Sequence, residues 1–236
     1  MNFFAHAVAA SWTSDEPRFG LGAMLPDFAT MIGAKLVSAG DAEASSGVAW
    51  HHKTDGAFHS HRLFRSHSSA LTDVLATRGI GRGGSLAAGH VGIELLLDGL
   101  MLGGDYSSGE TLYLEALTAL GPLADGVELT SRRPSGSIAD PNDRLRELGE
   151  FLSGRGLPHG YRDPETVADR LLRVLSGRPR LRIERHQRDV LAISLAEATE
   201  TLALDAETLL TELRETLTAN TGADGDVESP PVPSSP

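Results

Sequence analysis

A chain of 236 residues with a formal net charge of -11, 40% hydrophobic residues, few aromatics and no cysteine can bury a sizeable core as one domain. The acidic balance argues against general nucleic-acid binding, which relies on cations neutralising phosphates. The lack of cysteine removes disulfides, thiolate metal sites and cysteine nucleophiles, and fits a cytoplasmic protein.

No stretch approaches the ~18 consecutive apolar residues of a membrane span. Abundant Ala, Leu, Glu and Arg favour an all-α fold, and no alternating strand pattern is evident. The opening stretch Met1 to Ser11 has the apolar run of a secretory signal but no basic start, and it carries His6; it is expected as a first buried helix, with His6 a satisfied core residue. Ser14 to Pro17 breaks it, and Gly20 to Phe28 is expected as a loop entering a short helix that Asp27 caps in its first turn.

Residues 32 to 41 are less regular, and a long helix is expected from near Glu43 to Ala76. Thr77 to Gly84 lacks the Gly-Lys-Ser/Thr ending of a phosphate loop and reads as a flexible connection, after which Ser85 caps a helix to Leu102. Further helices are expected at about 108 to 120, 141 to 153, 164 to 176, 184 to 203 and 205 to 219, with Asp140-Pro141, Asp163-Pro164 and Asp205 as starts. The chain thus reads as one helical domain over residues 1 to 219, a metal-site half to about 104 and additional helices beyond it. Ser131 to Gly136 is expected as a loop, and residues 220 to 236 as a disordered tail.

Two patterns carry chemistry. His51, Asp55 and His59 recur every fourth residue, as do His90, Glu94 and Asp98, and each set falls on one helix face. Carboxylates on a helix as apolar as the second are costly unless paired or metal-bound. Two facing helices with such columns can hold a divalent ion in a helical core. His52 and His90 are placed for proton transfer. His61, His67, His159 and His186 have no partner in the pattern.

Short motifs add a resemblance. Met1-Asn-Phe-Phe-Ala-His6, Gly22-Ala-Met-Leu-Pro-Asp27, Gly47-Val-Ala-Trp-His51 with Asp55, Glu94 to Gly99, and Leu175-Ser-Gly-Arg178-Pro-Arg180-Leu181 occur in the order and spacing of the acyl carrier protein phosphodiesterase family, over about residues 1 to 182. The chain resembles that family, distant relatives of the HD-domain metal-dependent phosphohydrolases. The resemblance implies an HD-domain-like helical bundle with a metal site between core helices, built from His6, Asp27, His51, Asp55 and Asp98. Glu94 and His6 are implied as ligands or as groups that orient them, and Asp27 as part of the catalytic machinery. It also implies Mn2+, with Mg2+ or Fe2+ as substitutes, and hydrolysis of a phosphodiester such as the 4'-phosphopantetheine link of holo-acyl carrier protein.

The chain departs from the family pattern at Ala23, Glu94, Gly99 and His59, which stand where the family has Asn, Asp, His and Asp, and His90 is additional. A relative acting on a nucleotide or another small phosphoester, and a helical metal-binding protein without turnover, are the alternatives. Arg178 and Arg180 belong to a basic run that suits a substrate phosphate or the acidic surface of an acyl carrier protein; a solvated face is the other account.

Overall fold

The computed structural model describes residues 1–131 and 140–219, and these are mostly helical. The elements are α1 (Phe3–Ser11), α2 (Pro17–Met31), β1 (Ala34–Ser38), α3 (Ala42–Ser60), α4 (Arg62–Thr77), α5 (Arg82–Met101), α6 (Ser107–Leu123), β2 (Glu128–Ser131), α7 (Pro141–Arg155), α8 (Pro164–Leu175) and α9 (Arg188–Ala219). Among the described residues, no helix is long and apolar enough to cross a membrane. The loop expected after Ser131 and the tail from residue 220 lie outside the described residues.

The all-α expectation holds for the bulk of the chain, with one correction. Residues 32 to 41 contain a strand, and β1 pairs antiparallel with β2, Ala34 opposite Ser131 and Leu36 opposite Leu129. Only Ala34 of β1 is fully buried, so two short strands of mixed exposure carry too little alternation to stand out in sequence.

α1 is apolar all round, as a central helix must be: every residue from Phe3 to Ala10 is buried, His6 included. α2 begins earlier than expected, with Pro17 in its first turn, so Asp27 lies inside the helix and caps nothing. Pro26 sits in the helix interior and withholds the N–H that the Gly22 carbonyl would otherwise accept.

The single helix expected over 43 to 76 is two. His61 takes extended backbone angles and its ring Nδ1 accepts from the Leu63 N–H, ending α3 and capping α4. The turn that follows α4 is tight, Gly79 adopting a left-handed φ of 89°. α5 then starts at Arg82, with Gly81 before it at the cap, rather than after Ser85, whose hydroxyl donates to the Ile80 carbonyl from within the helix.

The two last helices expected are one continuous helix, α9. Asp205 starts nothing, because no glycine or proline interrupts the apolar series Leu195, Leu202, Leu209, Leu213 and Leu217 that seats α9 on the core. Instead its carboxylate meets His67 Nε2 at 2.9 Å, and Glu212 one side over meets His61 Nε2 at 3.1 Å. Both histidines thus have partners that only the fold supplies.

α2 and α3 approach backbone to backbone. A Cβ on Gly22 would lie 2.0 Å from the Ala44 carbonyl oxygen, and one on Gly47 would lie 2.1 Å from that of Phe19. No side chain larger than hydrogen fits at either point. This close contact sets Asp27 on α2 against His51 on α3.

Candidate metal centre

Four helices converge on a cluster of histidines and carboxylates. α1 supplies His6, α2 Asp27, α3 His51, Asp55 and His59, and α5 His90 and Glu94. The ligand atoms fall into two groups, His6 with Asp27 and His51, and His59 with His90 and Glu94; within each group the three lie within 4.8 Å of one another.

The hydrogen bonds of the first group fix its protons. The Thr54 hydroxyl donates its only proton to the His51 carbonyl at 2.9 Å. It must therefore accept from His6, whose Nδ1 lies 3.1 Å away, and His6 Nδ1 carries the proton. His6 Nε2 is then a bare lone pair. His51 Nδ1 likewise donates to the Ala23 carbonyl at 2.8 Å, leaving its Nε2 bare. The two rings stack with centroids 4.0 Å apart.

Burial, and then the nearby His51 ring, keep His6 well below the ordinary imidazole range, and burial brings His51 down to about 4, so both rings are neutral at pH 7. His6 Nε2 faces Asp27 Oδ2 at 3.9 Å and Asp55 Oδ1 at 3.8 Å. Neither His6 Nε2 nor Asp27 Oδ2 has a hydrogen-bond partner, although both atoms are buried. The bare His6 nitrogen thus faces two carboxylate oxygens, neither of them within hydrogen-bond distance of it. Burial pushes the Asp27 carboxyl up to about 7.

Asp55 joins the two groups. Its Oδ1 lies 2.8 Å from the amino group of Met1 and its Oδ2 accepts from His59 Nδ1 at 3.1 Å. Burial works against the charged form of Asp55, but the His59 hydrogen bond and the Met1 charge outweigh it and hold the carboxyl far below its usual range. In the second group Glu94 Oε1 lies 2.9 Å from His59 Nε2 and 3.1 Å from His90 Nε2. Hydrogen bonds to Asp55 and Glu94 raise His59 to about 9. Glu94 is held down by those to His59 and His90 against the opposing effect of its burial.

The other expected site residues lie elsewhere. Asp98 is fully buried, and its oxygens accept from Asn2 Nδ2 and the Ala5 N–H, so it anchors the start of α1 and joins neither ligand group. Burial pushes it up to about 8 against those hydrogen bonds. His52 is exposed on the flank of α3 and lines a cavity of about 570 Å³ bounded by Pro26, Thr30, Lys35 and Val48. His90, the other residue expected to transfer a proton, lies on α5 with its Nε2 3.1 Å from Glu94 Oε1. Arg178 and Arg180 stand exposed after α8, where the Arg180 carbonyl presses on Gly83 at the start of α5. Glu94 lies eleven positions after Gly83, roughly 16 Å along the helix from that contact.

Thr54 and the Ala23 carbonyl, which orient the two rings, were not foreseen. Thr54 did leave a signal, a polar residue three places after His51 on the buried side of α3. Nothing in the sequence singles out a backbone carbonyl. Compared with protein-family models, with curated proteins and with solved structures, the chain matches none.

Proposed function

We propose that the chain is a metal-dependent phosphoric diester hydrolase with an HD-domain-like arrangement, in which His6, His51 and Asp27 hold a divalent ion with Asp55 beside it. One observation carries this reading: the buried His6 Nε2 and Asp27 Oδ2, 3.9 Å apart, have no partner, and two oriented neutral imidazoles point to the same place. Two imidazoles and a carboxylate fit such an ion, with the Thr54 hydroxyl and the Ala23 carbonyl in the supporting positions that ligand histidines use. A divalent ion there, Mn2+ by the resemblance, supplies charge for a phosphoryl oxygen and a water of lowered pKa. His52, on the wall of the adjacent cavity, is assigned to give a proton to the leaving oxygen, and the cavity to take the organic arm of the ester.

Within this reading, holo-acyl carrier protein is the first substrate to try. A specific observation favours a different phosphoester. At Gly99, where the resembled family has His, a Cβ would lie 2.1 Å from the Tyr161 carbonyl oxygen, so backbone fills the space that side chain would need.

The test assays bis(p-nitrophenyl) phosphate and holo-acyl carrier protein with added Mn2+, using the wild-type chain and Asp27→Ala. Turnover of either substrate is expected, falling on the order of 10³-fold in the variant, the worth of several kcal/mol of charge stabilisation. Turnover that ignored Mn2+ and Asp27→Ala alike would overturn the reading.

A further inference from the structure

We infer that His59, His90 and Glu94 form a second divalent-cation site beside the first, with a donor set that suits Zn2+. This site is built from these residues and their neighbours and is independent of phosphoester hydrolysis. Glu94 Oε1 already sits 2.9 and 3.1 Å from the two ring Nε2 atoms, and the rings lie nearly parallel with centroids 4.7 Å apart. An ion with bonds of about 2.0–2.1 Å needs three such atoms roughly 3.3 Å apart; both distances to Glu94 Oε1 are within a few tenths of an ångström of that, and all three ligand atoms lie within 4.8 Å of one another.

The supporting contacts are those of a ligand set. Asp55 accepts from His59 Nδ1, which orients the ring with Nε2 toward the cradle; an ion bound there displaces to solvent the proton that Nε2 now shares with Glu94. Glu94 is nearly enclosed, whereas His90 is 46% exposed, so the cradle is anchored on one side and open to solvent on the other. An exchangeable ion needs that opening. The carboxylates already attract positive charge: the Met1 amino group lies 3.5 Å from both Glu94 Oε1 and His59 Nε2.

Asp55 is shared, one oxygen facing each group, so occupation of one site alters the field at the other. Two imidazoles with one carboxylate suit zinc and its neighbours better than Mg2+ or Ca2+, which prefer oxygen.

The experiment strips the full chain with a chelator, dialyses it against micromolar Zn2+ and measures metal per chain by elemental analysis. The panel is wild type, His90→Ala, Glu94→Gln and Asp27→Ala. Wild type is expected to retain two ions, His90→Ala and Glu94→Gln one each, and Asp27→Ala one, the remaining ion in the last being lost on adding His90→Ala. His90 is exposed, and Glu94→Gln keeps the side chain's shape, so the two variants reach the same site by different changes. Unchanged zinc content in both His90→Ala and Glu94→Gln would overturn this site while leaving the first intact. Unchanged content in Asp27→Ala alone, with loss in the other two, would overturn the first site and uphold the second.

Discussion

Thr54 has a single hydroxyl proton, and the position of that proton decides the tautomer of His6. Its donation to the His51 carbonyl leaves only acceptor capacity for His6 Nδ1–H. Thr54→Val keeps the shape of the side chain and removes the acceptor. A buried N–H left without a partner costs about 1–3 kcal/mol, which chemical denaturation will register. The loss of an orienting partner is expected to weaken metal binding about 10- to 100-fold, measured by metal titration, and Thr54→Ser should restore most of it. Equal affinity in Thr54→Val and wild type would remove the tautomer argument for His6.

Between elements, the contact that matters is that of α2 with α3. Gly47 meets the Phe19 carbonyl so closely that any Cβ forces the helices apart. Gly47→Ala is expected to destabilise the fold by about 1–3 kcal/mol, the usual cost of overpacking, and to lower metal affinity because Asp27 and His51 ride on the two helices being separated. Thermal unfolding and metal titration check the two effects, and a variant as stable and as tight-binding as wild type would disprove the link. At this scale the sequence is legible only in part. His51, Asp55 and His59 do lie along one side of α3, but each step of four residues advances about 40° around the helix. His51 therefore turns towards His6 and Asp27, while His59 turns towards α5, so one column in the sequence serves two clusters in space. The other column splits for a different reason: Asp98 is deeper than Glu94, and its oxygens are taken by Asn2 and Ala5 of a segment ninety-odd residues away, a partner no local pattern predicts. Helix starts marked by Asp-Pro were plain in the sequence because the cap is made within a few residues. The break at His61 was hidden because its cap is a ring nitrogen, an uncommon choice.

For the whole molecule, the cluster sets the pH dependence of stability in the metal-free protein. His59 is raised to about 9, Asp27 to about 7 and Asp98 to about 8, whereas in the unfolded chain histidine titrates near 6.5 and aspartate near 3.9. The folded protein holds the extra protons of Asp27 and Asp98 from about pH 4 upward and that of His59 from about pH 6.5, so these three make stability fall as pH rises. The slope is about 1.4 kcal/mol per pH unit for each group that still holds its extra proton. Asp27 drops out of the slope near pH 7, Asp98 near 8 and His59 near 9. Below about 6.5 His6 and His51 act in the opposite direction to Asp27 and Asp98: their depressed values make the unfolded chain the better proton binder, and stability contributed by those two is lost as pH falls. Thermal melts of chelator-treated protein between pH 6.5 and 9 are expected to show a falling midpoint, and added divalent metal to reverse it in the alkaline part of the range. A midpoint that rose with pH without metal would contradict these proton positions.

α1 is nine residues long and buried on every side, and a helix so short has little tendency to form alone. His6 is therefore delivered only when α1 inserts among partners drawn from much later in the chain, Asp98 and Tyr113 among them. It thus reaches Asp27 and His51 only in a chain whose distant parts have already closed on α1. An ion that needs His6 would then be held by the folded chain and not by its separate N-terminal segment.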